Sequence, residues 1–208
     1  MSSLSHSALG QLSALKQAGI VLGASIFIAV AAQVSVPMFP VPMTLQMLAI
    51  LLVGFALGAR LGTAALVTYL AEGAMGLPVF ANGANGAAFF GPTAGFLIGF
   101  VGVAFLAGLA ADRGVANGFG YSGALGAVVG FAATAVVALA VSALLYIPGI
   151  AWPMAVAQVA GIEGSWIGKE FGSYYWTYFM QPFLIGDAVK AVLAALIMAG
   201  GWSFLAKR

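Results

Sequence analysis

An aspartate and a lysine, Asp187 and Lys190, stand three residues apart at the opening of the last apolar run of a chain in which only 6% of residues are charged. At i and i+3 on a helix the two side chains share a face and can meet. An ionisable pair inside an apolar span is costly, and by default it marks a functional site. The competing reading is a purely structural ion pair, but such a pair roughly breaks even against its own desolvation. One acceptor and one donor at fixed separation suit a neutral polar group bearing both N–H and C=O, such as a urea or an amide. They suit a lone cation or anion less well.

Other residues could complete a binding site. The stretch 73–93 carries glycines at 73, 76, 83, 86 and 91, asparagines at 82 and 85, prolines at 78 and 92, and Thr93 at its end. This is loop chemistry within an apolar chain. Irregular backbone at membrane depth is tolerated where it is buried in protein or lines a wet cavity. Asn82, Asn85, Gly91 and Thr93 are therefore candidate binding residues, although both asparagines also suit plain turns. Gln46 and Glu72 are further candidates, against local backbone pairing for Gln46 and snorkelling to the interface for Glu72. Tyr69 and Phe80 suit packing better than ligand stacking.

Several chemistries are excluded. There is no GxxxxGK[ST] phosphate loop, so the chain does not drive itself with ATP in that way. One histidine, His6, and no cysteine cannot build a metal set. No GxSxG motif occurs, and no cofactor is expected. Lys and Arg number seven against five acids, but the bases are scattered and form no nucleic-acid patch.

The elements that must position these groups follow from hydropathy. The 208 residues are 63% hydrophobic, with a mean hydropathy of +1.11. A soluble domain is typically about half apolar and about a quarter charged. The chain is expected to be an all-α integral membrane protein, a compact bundle of six transmembrane helices. Residues 1–15 form a short tail with no cleavable leader, and 16–208 form the membrane domain. The spans are placed at 17–36, 43–58, 61–74, 93–111, 121–147 and 181–203. Three prolines within 37–42 make an extended connector. The segment 148–180 is too polar and glycine-rich to span, and its tryptophans and tyrosines suit an interfacial belt or a lid. On the first span Gly19 and Gly23, and again Ser25, Ala29 and Ala32, form small-residue faces where another helix can approach.

Six spans place Lys16, Arg60, Arg113, Lys207 and Arg208 on one side. The positive-inside rule makes that side, with both termini, cytoplasmic. The proline connector, the 73–93 stretch and the 148–180 segment then face outward. Asp187 lies about six residues into the last span, roughly 9 Å deep. A pocket near the outer surface, without a motor, points to a solute-binding subunit.

Three stretches carry a resemblance: VSVPMFPVPMTLQ (34–46), GLPVFANGANGAAFFGPTAGF (76–96) and QPFLIGDAVK (181–190). In this order, within six spans, they resemble the biotin transporter BioY family, the substrate-specific S components of energy-coupling factor transporters. The resemblance implies an S-component fold in a bacterial cytoplasmic membrane and capture of biotin from outside. It also implies partnership with an energy-coupling module of one transmembrane coupling subunit and two ATPases. Asp187 and Lys190 would hold the biotin head group, and the asparagine/glycine stretch would complete the pocket. The Ser25, Ala29, Ala32 face, with Gly19 and Gly23 second, would dock on the coupling subunit. The 148–180 segment is longer and more aromatic than the family pattern suggests. Alternatives are an S component for another small vitamin, or an intramembrane enzyme using Asp187 or Glu72 as acid or base.

Overall fold

The computed structural model describes residues 13–116 and 123–205. Most of the expected tail, His6 included, and the terminal Lys207 and Arg208 lie outside these residues. The helices are α1 (Ala14–Gln33), α2 (Gln46–Ala74), α3 (Ala94–Asp112), α4 (Gly123–Ala160) and α5 (Gln181–Leu205). Each provides a stretch long and apolar enough to cross a membrane, the last of them beginning before α5 at Phe171. At 1.5 Å per residue the 20 residues of α1 reach about 30 Å, the thickness of a bilayer core.

α2 is a hairpin. Gly58 takes φ 76°, a left-handed conformation that favours glycine, and it breaks the helix there. A methyl group added at Gly62 would stand 3.2 Å from the Cα of Gly54. In a straight helix residues eight apart are about 12 Å apart. The Gln46 side chain likewise reaches Tyr69 Oη at 3.0 Å, across 23 residues of sequence. The arms 46–57 and 59–74 therefore run antiparallel. At the tip, Ala59 donates its N–H to Asp112 Oδ2 at 3.0 Å, so the end of α3 caps the second arm.

Small residues set how closely α3 sits on this hairpin. A Cβ at Gly108 would collide with the backbone of Gly58 and Ala59, and one at Gly54 would come within 2.9 Å of the Ala104 carbonyl. Backbones packed at this distance replace the hydrophobic drive that lipid cannot supply. The core between the helices is filled by Ile50, Leu51, Phe55, Leu66 and Tyr69 from α2, all essentially without exposure.

Two expectations are corrected. The span expected to stop at 147 continues through Pro148 and Pro153 to Ala160, giving α4 38 residues. A proline that would end a helix in water is tolerated in a membrane bundle, where neighbours re-satisfy the freed backbone. α3 packs closely against this turn: Gly95 lies directly against the Pro148 carbonyl, and only a glycine leaves that space. The segment 148–180 is consequently irregular only over 161–170. Its remainder is the end of α4 and a π-helical stretch, Phe171–Met180, that runs into α5. The aromatic residues divide between two roles: Trp176 and Tyr178 are exposed, as a belt requires, whereas Tyr175 and Phe179 are core. The all-α expectation also meets one small exception. The proline connector is closed at its base by a two-residue antiparallel ladder, β1 (Ser35–Val36) against β2 (Met43–Thr44), with Ser35 opposite Thr44.

The connector, the end of α1, the 75–93 loop and the start of α5 gather at one end of the bundle. The tip of the α2 hairpin, Arg60 and Asp112 stand at the other.

Candidate functional site

At the loop-bearing end lies a cavity of about 350 Å³. Its volume is within the range of small-molecule sites, about 300–1,000 Å³. Its walls come from β2 and the start of α2, from the 80–93 loop, and from facing turns of α3, α4 and α5.

α5 delivers the charged pair. Lys190 Nζ stands 3.2 Å from Asp187 Oδ1, one turn apart on the helix face turned toward the cavity. Asp187 Oδ2 accepts a 2.6 Å hydrogen bond from Tyr146 Oη of α4. The lysine is buried, at 7% exposure, so its charge needs this partner. Tyr146 and Lys190 together hold the carboxylate from two sides. An ammonium carries three donors and a carboxylate about four acceptor sites. The pair thus keeps both donor and acceptor capacity for a group in the cavity.

Across the cavity the polar groups are uncharged. Gln46 is buried at the start of α2 and donates from Nε2 to Tyr69 Oη. Tyr69 Oη in turn donates to the Val79 carbonyl at 3.2 Å. This chain orients the Gln46 carboxamide and leaves its oxygen as an acceptor at the wall. Thr44 Oγ1 accepts from the Gln46 N–H at 3.2 Å, fixing the entry into α2. Between the polar groups stand Phe80, Phe96, Phe100 and Phe183. Phe80 packs edge-on against Tyr69 with ring centroids 5.2 Å apart, which holds its ring in the wall. A mostly apolar cavity with a few convergent polar groups is the general form of a small-molecule site.

The candidate residues separate clearly. Asp187, Lys190, Gln46, Asn82, Gly91 and Thr93 line the cavity. Asn82 takes a left-handed φ of 58° and also accepts from Ser35 Oγ at 2.7 Å, so it is both turn and wall. Asn85 does not line it; its side chain caps the short 3-10 turn that follows by accepting from the Ala87 N–H. Glu72 is not brought to the cavity either. It faces α1, where its Oε1 accepts from Ser25 Oγ at 2.9 Å. That contact also corrects the reading of α1. Ser25 and Ala32 are fully buried against the bundle and offer no outer docking face, while Ala29 is half-buried. Gly19 and Gly23 lie on the exposed side, with open space where a Cβ would stand.

Besides Thr44, Tyr146 is the polar cavity residue that sequence reasoning missed. Its signal was weak: one tyrosine closing an apolar span otherwise free of polar side chains larger than serine or threonine. Phe96, Phe100 and Phe183 were missed for the same reason, since a phenylalanine in a span reads as packing. Among the described residues no group of three His, Cys, Asp or Glu could hold a metal ion.

Comparison with known proteins adds an independent line. A family model described as the BioY family matches residues 4–207. The chain is 36% identical over 165 residues to a biotin transporter BioY of Rhizobium etli, covering 79% of each chain. It is 34% identical over 191 residues to a biotin transporter BioY of Rhodobacter capsulatus, covering 85% of this chain and 87% of that one. A biotin transporter BioY of Thermotoga maritima is 49% identical over a shorter stretch of 87 residues, 41% of this chain and 52% of that protein. Among solved structures, the S component for biotin from an ECF-type ABC transporter superposes with a TM-score of 0.68. It shares 23% identity, over 93% of this chain and 92% of that one, a likeness of fold.

Proposed function

Since the chain belongs to the BioY family, we propose that it is the biotin-binding S component of an uptake transporter and that its cavity is the biotin site. The observation that carries this reading is the buried set of Asp187, Lys190 and Tyr146 at one end of an otherwise apolar cavity. Biotin's ureido ring offers two N–H donors and one C=O acceptor. Asp187 accepts from the ring N–H groups, and Lys190 donates to the carbonyl. Gln46, Asn82 and Thr93 supply further polar contacts around the ring, while the phenylalanines cover the fused ring and the alkyl chain. Membership of a transporter family supports solute capture and release rather than catalysis, and on this reading Asp187 and Glu72 serve no acid–base step.

Counting the two arms of α2 separately, the chain crosses the membrane six times. Lys16, Arg60 and Arg113 fall at the end opposite the cavity, which supports cytoplasmic termini and a cavity open to the outside. The five long apolar helices support a multi-pass membrane protein, and the bacterial sources of the biotin transporter relatives fit a bacterial cytoplasmic membrane. Energy for release inward comes from a coupling module of a transmembrane subunit and two ATPases, which the chain itself has no motif to replace. The exposed side of α1, with Gly19 and Gly23, is the surface offered to that subunit.

The test is direct. Purified protein in detergent is expected to bind radiolabelled biotin saturably, and a panel of other small vitamins is expected to compete poorly. Absence of saturable biotin binding by the wild-type chain sinks the assignment; equal competition by another vitamin reassigns the solute.

A further inference from the structure

The side chain of Gln33, the last residue of α1, makes more hydrogen bonds to other segments than a surface amide needs. Its Nε2 lies 3.3 Å from the Val79 carbonyl and 3.1 Å from the Phe80 carbonyl, and 3.1 Å from Ala29 O in its own helix. Its Oε1 accepts from the Gly83 N–H at 3.0 Å. One carboxamide thus brackets 79–83 on both sides, with two N–H hydrogens shared among three carbonyls. This loop contributes Phe80, Ala81 and Asn82 to the cavity. Two residues further on, Ser35 Oγ donates to Asn82 Oδ1 at 2.7 Å and reinforces the tie.

The helix at the other end of this tie is the one least embedded in the bundle. Only Ser25, Ile28 and Ala32 of α1 are buried, while Leu22, Ile26, Phe27 and Val30 are exposed. A chain of hydrogen bonds also leads inward from Gln33. The Val79 carbonyl accepts from Tyr69 Oη as well, and Tyr69 accepts from Gln46 in the cavity wall. α1 is therefore connected, through one exposed side chain, to two sides of the cavity.

We propose that Gln33 is a positioning residue for solute capture: its carboxamide fastens the Phe80–Asn82 wall of the cavity to the end of α1. The wall stays closed while α1 stays in place. Gln33 does not touch the solute. The inference rests on the cavity being the biotin site, and its test is arranged so that the two can fail separately.

The full-length protein in lipid nanodiscs is compared with Gln33→Met, which keeps length and loses every polar contact, and with Gln33→Glu, which keeps the acceptor for Gly83 and loses the donors. Two quantities are read: backbone amide exchange of 79–84 without biotin, and the rate of biotin dissociation. With Gln33→Met, exchange in this loop is expected to quicken while that of α3 and α5 is unchanged. Biotin dissociation is expected to quicken about tenfold, the effect of losing roughly one hydrogen bond's worth of hold on the wall. Gln33→Glu sets an acceptor-only carboxylate oxygen against the Val79 and Phe80 carbonyls and is expected to quicken both at least as much as Gln33→Met. Unchanged exchange, or faster exchange with unchanged dissociation, overturns the proposal. So does faster dissociation without faster exchange. If the wild-type chain binds no biotin, the solute assignment falls on its own, and unchanged loop exchange still overturns the fastening role.

Discussion

At Asp187 the carboxylate is held by a lysine at 3.2 Å and a tyrosine at 2.6 Å, and each partner makes a separate prediction. Asp187→Asn removes the charge that neutralises Lys190 and half of the acceptor capacity facing the solute. Truncating one member of a buried charged pair costs about 2–5 kcal/mol. Biotin affinity is expected to fall at least about a hundredfold, read by equilibrium binding. Tyr146→Phe keeps the ring and removes one donor to Asp187, so the loss is about tenfold, in line with a single hydrogen bond to a charged group. Thermal unfolding without ligand tests the pair itself. Lys190→Met and Asp187→Asn are each expected to destabilise, and the double change Asp187→Leu with Lys190→Met to recover much of that loss, because it leaves no buried charge uncompensated. If the double variant is less stable than either single one, the pair stabilises the fold and the argument from desolvation fails. Asp187 and Lys190 were legible in the sequence because an ionisable residue in an apolar span has few bland explanations. Tyr146 was not, because tyrosine is ordinary at the end of a span. The choice between Asn82 and Asn85 was also beyond sequence, since both residues suit left-handed or capping positions. Only the folded loop turns Asn82 toward the cavity and uses Asn85 to cap a turn.

At the level of elements, the α2 hairpin is the part most exposed to single changes. Gly108 of α3 leaves room for the backbone at Gly58 and Ala59, and no flexible side-chain end is available there to give way. Gly108→Val is expected to destabilise by about 1–3 kcal/mol or more, the scale of overpacking a filled core. Asp112→Ala removes the cap on the second arm, and about 0.5–2 kcal/mol with it. Both are read as a fall in thermal stability in detergent. Because the tip lies at the opposite end from the cavity, biotin affinity of the folded fraction is expected to stay near that of wild type. The hairpin itself was readable: Gly58 and the charged Arg60 interrupt a hydrophobic run too long for one span and just long enough for two short ones. The continuation of α4 through Pro148 and Pro153 was not. Proline stops a helix in water for want of a donor and through steric clash, and sequence alone does not show that Gly95 of another helix lies against that point. The face of α1 was misread for a related reason. Small residues recur on both sides of it, and which side turns inward is decided by the Glu72–Ser25 hydrogen bond with the second arm of α2.

For the whole molecule the decisive property is sidedness. The loops that close the cavity and the tip of the α2 hairpin stand at opposite ends, and the proposed orientation puts the first outside and the second in the cytoplasm. The chain has no cysteine, which makes every introduced thiol unique. Arg60→Cys and Arg113→Cys place an exposed thiol at the hairpin end; Ala87→Cys and Glu163→Cys place one at the cavity end. In intact cells a membrane-impermeant maleimide is expected to label 87 and 163, and to label 60 and 113 only after permeabilisation. Labelling of 60 together with 87 in intact cells would mean that the two arms of α2 do not cross the bilayer, and the six-span reading would go with them. The same protein gives a ligand test that needs no radioactivity. A solute that binds only the folded form raises stability by about 2.7 kcal/mol at 100 times its dissociation constant. Wild-type protein is therefore expected to melt at a higher temperature in biotin, while Asp187→Asn at the same biotin concentration shows little shift. A full shift in Asp187→Asn would place biotin away from the α5 pair, since stabilisation by mass action follows the affinity of the site that is occupied.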